Sequence, residues 1–179
     1  MVFLRTDDNG RVTLRHNRPE QLDDTSDGVT VDSVPERPDG DHELFVVDGS
    51  PEWKPARYRY RNDLDGLKRH LRDQLKEKRH EVETQGVTVN GPDFRSDRET
   101  RQSVVETLVY ARSQDNFSTK WKTPSGFVTV SQADLEAVRA AIASLRQQAF
   151  EREAELAQEI EDATSADSLL SIDFTTGWP

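Results

Sequence analysis

A chain of 179 residues with 33% apolar residues and a mean hydropathy of −0.85 has the length of one domain or two small ones, and too little apolar material for one large core. Its formal charge of −10, from 34 acidic and 24 basic residues, argues against nucleic acid as a general partner. The absence of cysteine excludes disulfides, thiolate metal sites and thiol catalysis.

Residues 1–62 read as a β-rich N-terminal segment. Short apolar runs at Val2-Phe3-Leu4, Val12-Thr13-Leu14, Val29-Thr30-Val31 and Leu44-Phe45-Val46-Val47 are separated by Asn9-Gly10, Asp27-Gly28, Asp39-Gly40 and Asp48-Gly49. Asn-Gly and Asp-Gly accept the positive φ that tight hairpins require. Pro35, Pro38, Pro51 and Pro55 keep the region from being helical, and the alternation Arg57-Tyr58-Arg59-Tyr60-Arg61 predicts a last strand.

From residue 63 to about 83 the spacing predicts a helix, with Asn62 or Asp63 as cap. Leu64, Leu67, Leu71, Leu75 and Val82 share one face, and Lys68, Arg69, Arg72, Lys76, Lys78 and Arg79 make the other faces basic. Those cations form a solvated face or a surface that meets carboxylates, the chain's own C-terminal helix among them; contact with RNA or DNA is disfavoured, since no aromatics are interleaved and Asp65, Asp73 and Glu77 dilute the charge.

Residues 87–130 predict a small α+β unit: a strand at Val87-Thr88-Val89, a helix opened by the capping pattern Ser96-Asp97-Arg98-Glu99, and a hairpin turning at Thr123-Pro124-Ser125-Gly126. Val104, Val105, Leu108 and Val109 are the helix's apolar residues, and Trp121 and Phe127 are expected in the core. A long helix follows over 132 to about 163, with Ser131 and Asp134 as its cap signal. Along it Leu135, Val138, Ile142, Leu145, Ala149 and Leu156 repeat at alternating spacings of three and four, a coiled-coil-like stripe interrupted by Arg152. The stripe can pack on its own domain or associate with further copies, and self-association is the reading favoured. The tail Leu169-Leu170-Ser171-Ile172-Asp173-Phe174 is apolar again and ends in Gly177-Trp178-Pro179. The expected class is α+β, in two parts: 1–62, and a helical and α+β part over 63–179 that ends in the long helix.

Charge is uneven. From Ser131 to Pro179 ten acids face three bases, which gives −7. Eighteen arginines against six lysines, beside many carboxylates, fit either a halophilic source or a high-GC genome. No 18-residue apolar stretch occurs, and Met1-Val2-Phe3-Leu4-Arg5 lacks a hydrophobic run of signal-peptide length, so no membrane association is expected.

No catalytic or metal site is expected. His16, His42, His70 and His80 form no His-x-x-x-His pair. Asp23, Thr25, Asp27 and Gly28 imitate the start of a calcium loop, but Val34 stands at the twelfth place where a bidentate Glu closes such loops, so an acidic turn is the better reading. No Gly-x-Ser-x-Gly, P-loop or Gly-x-Gly-x-x-Gly sequence is present, so neither an enzyme nor a cofactor is expected. The candidate partner-binding residues are Leu135, Val138, Ile142 and Leu145 on the stripe, and Leu169, Leu170, Ile172, Phe174 and Trp178 in the tail.

The stretch from about Lys78 to Pro179 resembles an uncharacterised domain family of tail-fibre and tail-assembly proteins of tailed phages. The resemblance rests on a charged helix, then Gly86-Val87-Thr88-Val89-Asn90-Gly91, Phe94-x-Ser96-Asp97 opening a helix, and Trp121 before the hairpin. It continues through Phe127-Val128-Thr129-Val130-Ser131, a helix bearing Leu135, Ile142 and Ala149, and the ending Gly177-Trp178-Pro179. It implies a structural component of a viral tail, at the fibre or baseplate, with other tail proteins and further copies of itself as partners. Its place would then be the virion tail after synthesis in the host cytoplasm. A fibre-assembly chaperone absent from the finished particle is the alternative. The shared motifs are structural, so no catalytic residue is carried over.

Overall fold

The computed structural model describes residues 1–18, 22 and 27–179. It is a mixed α+β protein that divides into two compact units, Met1–Leu71 with Asp162–Ile172, and Arg72–Glu161 with Asp173–Pro179. The division falls within the first helix. Leu67 and Leu71 on that helix's first two turns are fully buried, and the Arg57 guanidinium donates to the Leu170 carbonyl at 2.9 Å, tying the 162–172 segment to the N-terminal part.

In the first unit β1 (Val2–Thr6) is the middle of an antiparallel sheet in the order β2-β1-β3, with β2 at Val12–His16 and β3 at Gly28–Val31. A hairpin of β4 (His42–Val47) and β5 (Ser50–Pro55) joins it through a bridge between Arg11 and Phe45. Val2, Phe3 and Leu4 are all buried, so β1 has both faces covered rather than one. Leu4 packs with Val2 and Leu44, while the Phe3 ring lies over Gly28, where an added Cβ would come within 2.3 Å of the ring. Only glycine lets the neighbouring strand pass that close.

Arg57-Tyr58-Arg59-Tyr60-Arg61 is not a strand: Ala56–Tyr60 is a 3₁₀ helix leading into α1 (Leu64–Thr84). Its aromatic residues are placed by turns rather than by a sheet face, Tyr58 edge-on to Phe45 at 4.9 Å and Tyr60 beside His70 at 4.9 Å. Period-two alternation over five residues cannot separate these outcomes when Pro55 removes a ladder donor at the start. Within the acidic turn weighed as a calcium loop, 23–26 lie outside the described residues, and Asp27 accepts from the Arg5 guanidinium at 2.9 Å.

The second unit holds the later part of α1, the short pair β6 (Val87–Thr88) and β7 (Asp93–Phe94), α2 (Arg98–Ala111), the hairpin β8 (Ser118–Thr123) with β9 (Gly126–Ser131), and α3 (Gln132–Asp162) as far as Glu161. Phe94, Val104, Leu108, Val130, Leu135, Val138 and Ile142 form its core, with Trp121 and Val128 packed at the edge. Phe127 is outside it, 71% exposed. Register explains this: Trp121 pairs with Val128 and Thr119 with Val130 on the inner face, so Phe127, one residue away and opposite Lys122, points outward. α2 is capped by Asp97, whose carboxylate accepts from the Thr100 amide at 2.8 Å, one residue beyond the expected Ser96. Ser96 is buried instead, donating to the Glu83 carbonyl and accepting from the Gly86 amide. At the start of α3 the cap is reciprocal: Asp134 accepts from the Ser131 amide and hydroxyl, and its own amide donates back to the Ser131 hydroxyl. The short helix α4 (Ala166–Leu170) belongs to the first unit.

Candidate interaction surfaces

The stripe on α3 faces its own unit. Leu135, Val138 and Ile142 lie in the core with α2 and the hairpin, and Leu145 packs with Ala149 against Val82 of α1. Of the two roles open to a coiled-coil-like stripe, this is packing within the domain. The tail candidates are placed similarly. In the first unit Leu169 and Ile172 are buried and Leu170 is half-buried. In the second, Phe174 and Trp178 are half-buried, and Trp178 packs against the cluster of Val82, Leu145 and Ala149. The Trp178 indole donates to the Phe174 carbonyl at 2.9 Å, which closes the C-terminal turn.

Within the second unit two basic side chains of α1 reach acids of α3, whereas Lys76 and Lys78 pair with Asp73 and Glu81 on α1 itself. Arg72 pairs with Glu161, and Arg79 lies 3.0 Å from Glu153 and 3.0 Å from Glu83. Glu83 is the buried member of this network, 6% exposed, with Arg146 of α3 at 3.3 Å and His80 at 3.2 Å. Burial pushes its pKa up, but hydrogen bonds from His80 and Arg146 and the charge of Arg79 outweigh burial and hold it below the ordinary carboxylate value. Arg79 and Arg146 also lie over the Phe150 ring, at 4.6 and 5.7 Å from its centre. No group of three or more metal-ligating side chains is found among the described residues.

The surface of the second unit carries a set of exposed apolar side chains. Val105, Val109, Tyr110, Phe127 and Phe150 are between 44% and 71% exposed. Val105 and Val109 sit one position beyond Val104 and Leu108, and a helix buries only one of two such adjacent stripes. Two depressions accompany them. One, of about 510 Å³, lies between the start of α2 and the β8–β9 hairpin and includes Trp121, Phe127, Lys120 and Lys122. The other, of about 390 Å³, runs between α2 and α3 over Val105, Ile142 and Ala143, with Arg98, Arg101, Arg139 and Arg146 around it. Periodicity could have marked the second, because Arg98, Gln102 and Val105 of its lining follow at spacings of four and three on α2.

This architecture, a strand-rich unit and a helical unit with apolar side chains left exposed, is that of a mixed α+β protein. A family model described as "Domain of unknown function (DUF4376)" matches residues 66–176, more than half of the chain, and the chain belongs to that family. No curated protein and no solved structure matches it.

Proposed function

We propose that this protein is a structural component of a tailed-virus tail, an adaptor at the fibre or baseplate that works by contacts with other tail proteins and with copies of itself. The observation that carries the reading is the ordered set of motifs over 78–179 that resembles the domain of tail-fibre and tail-assembly proteins. The exposed Val105, Val109, Tyr110, Phe127 and Phe150 support it, since apolar and aromatic side chains held on a rigid surface are what interface centres use. An adaptor contributes by stoichiometry rather than by turnover, and its place is the virion tail. Quantitative mass spectrometry on gradient-purified particles tests this: the protein is expected at a fixed ratio to other tail proteins. Abundance in infected-cell lysate with absence from particles would assign it instead to fibre assembly as a chaperone.

A further inference from the structure

The α2–α3 groove is cationic in a protein whose net charge is −10. It extends along α3 into a second depression that shares Arg139 and Ala143 and adds Arg112, Glu136 and Ala140, so five arginines and one carboxylate line the two together. Arg101 is tied to the Ser96 carbonyl and Arg146 to Glu83. Arg98, Arg112 and Arg139 are exposed and have no ion-pair partner among the described residues. Between these cations the floor is apolar and low, formed by Val105, Ala140 and Ala143. An apolar floor with a cationic rim fits an amphipathic helix flanked by carboxylates better than it fits a sugar–phosphate backbone.

Such a helix exists in the chain itself. The second half of α3, Gln147–Asp162, carries six acids and one base. Beside its buried stripe runs another: Ala140, Ala143, Gln147, Phe150, Ala154 and Ala157 repeat at spacings of three and four, and all but the half-buried Ala157 are exposed. Glu151 and Glu155 flank this stripe and are exposed as well. The first half of α3 thus borders the cationic groove and the second half carries the anionic stripe. A two-fold axis across the middle of α3 sets the groove of each copy against the acidic half of the other, so both contacts form at once and the assembly closes as a dimer.

We propose that a second copy of this chain docks its Gln147–Asp162 helix into the α2–α3 groove, giving an antiparallel, charge-complementary dimer. The inference rests on the reading that the protein works by protein–protein contacts, and it is tested on the purified protein, apart from any particle. Sedimentation equilibrium of the full chain at low salt should show a dimer whose dissociation constant rises with salt, as expected for a charge-steered contact. Arg98→Glu with Arg139→Glu, and separately Glu151→Arg with Glu155→Arg, place like charges against each other at both contacts, and each double variant alone should dimerise about a hundredfold more weakly. All four side chains are exposed, and the single ion pair lost, Arg152–Glu155, is a surface pair, so thermal melts at molar salt, where the dimer is dissociated and the surface charge screened, should match the parent and show that both variants fold. Mixing the two should restore a heterodimer, because each reversed surface meets its complement. A parent that is monomeric at all concentrations, a dimer indifferent to both variants, or a mixture that stays monomeric overturns the proposal. Retention of the parent on single-stranded DNA, lost in Arg98→Glu with Arg139→Glu, would assign the groove to phosphate and overturn it too. Particle mass spectrometry reads the tail assignment separately, so the failure of either idea leaves the other standing.

Discussion

At Glu83 desolvation and pairing oppose each other, and pairing prevails. The folded pKa lies below the ordinary 4.5, so ionised Glu83 contributes stability that is complete above that value and lost as pH falls through the folded one. Asp97 and Asp134 are depressed in the same direction, Asp97 chiefly by the Thr100 amide and Asp134 chiefly by the Ser131 amide. Asp173 is held down to about 2, first by the Thr175 hydroxyl and then by that of Thr176. All four signs agree, so melting temperature should be level above about pH 5 and fall progressively toward pH 2. Glu83→Gln should cost about 1–3 kcal/mol at neutral pH, less than for a fully enclosed pair, because Arg146 is 39% exposed and Arg79 keeps Glu153. Near pH 2 the parent and variant should melt together; a difference that persists there would mean that packing rather than charge is lost. The hairpin gives a second test at this scale. Trp121→Ala removes a ring that packs on the core from its edge and should cost about 2 kcal/mol in a denaturant melt, whereas Phe127→Ala should stay within about 0.5 kcal/mol.

Long periodic elements were the most legible from sequence. Helices α1 and α3, the hairpin with its Pro-Ser-Gly turn and the Ser131–Asp134 cap follow from spacing and cap chemistry, because each signal spans several turns or fixes a local hydrogen bond. The short alternation at Arg57–Arg61 and the cap at Ser96 were not, since a five-residue run and two adjacent cap-forming residues leave the choice to tertiary contacts. The direction of the α3 stripe was hidden for a related reason: spacing states that a face is apolar, but not whether its partner is the same chain. Leu145→Glu separates those cases. With Leu145 8% exposed beside Val82 and Ala149, the substitution buries a charge within the unit and should cost on the order of 3 kcal/mol in a chemical-denaturation curve of the dilute protein. A variant as stable as the parent but weaker in self-association would return the stripe to an interface between copies.

For the whole molecule, excess negative charge and modest apolar content act together. Most ion pairs here are exposed on at least one partner, and such pairs contribute little each, so screening them removes little stability. The repulsion among 34 acidic residues is shared by the whole surface; over the last 49 residues the balance is −7, offset in part where Glu153 and Glu161 pair with Arg79 and Arg72 of α1. Raising salt from about 10 mM to about 1 M shortens the Debye length from about 30 Å to about 3 Å and removes most of that repulsion. Melting temperature measured on dilute protein should therefore climb over this range, while the proposed dimer, held by opposite charges, should dissociate more readily. The two responses have opposite signs because one reports like charges within a copy and the other unlike charges between copies. Differential scanning calorimetry at two protein concentrations separates them: at low salt the midpoint should depend on concentration, and at molar salt it should not. A midpoint that stays flat or falls with salt on dilute protein would remove self-repulsion as a determinant of this fold, and with it the physical basis for reading the composition as an adaptation to high salt.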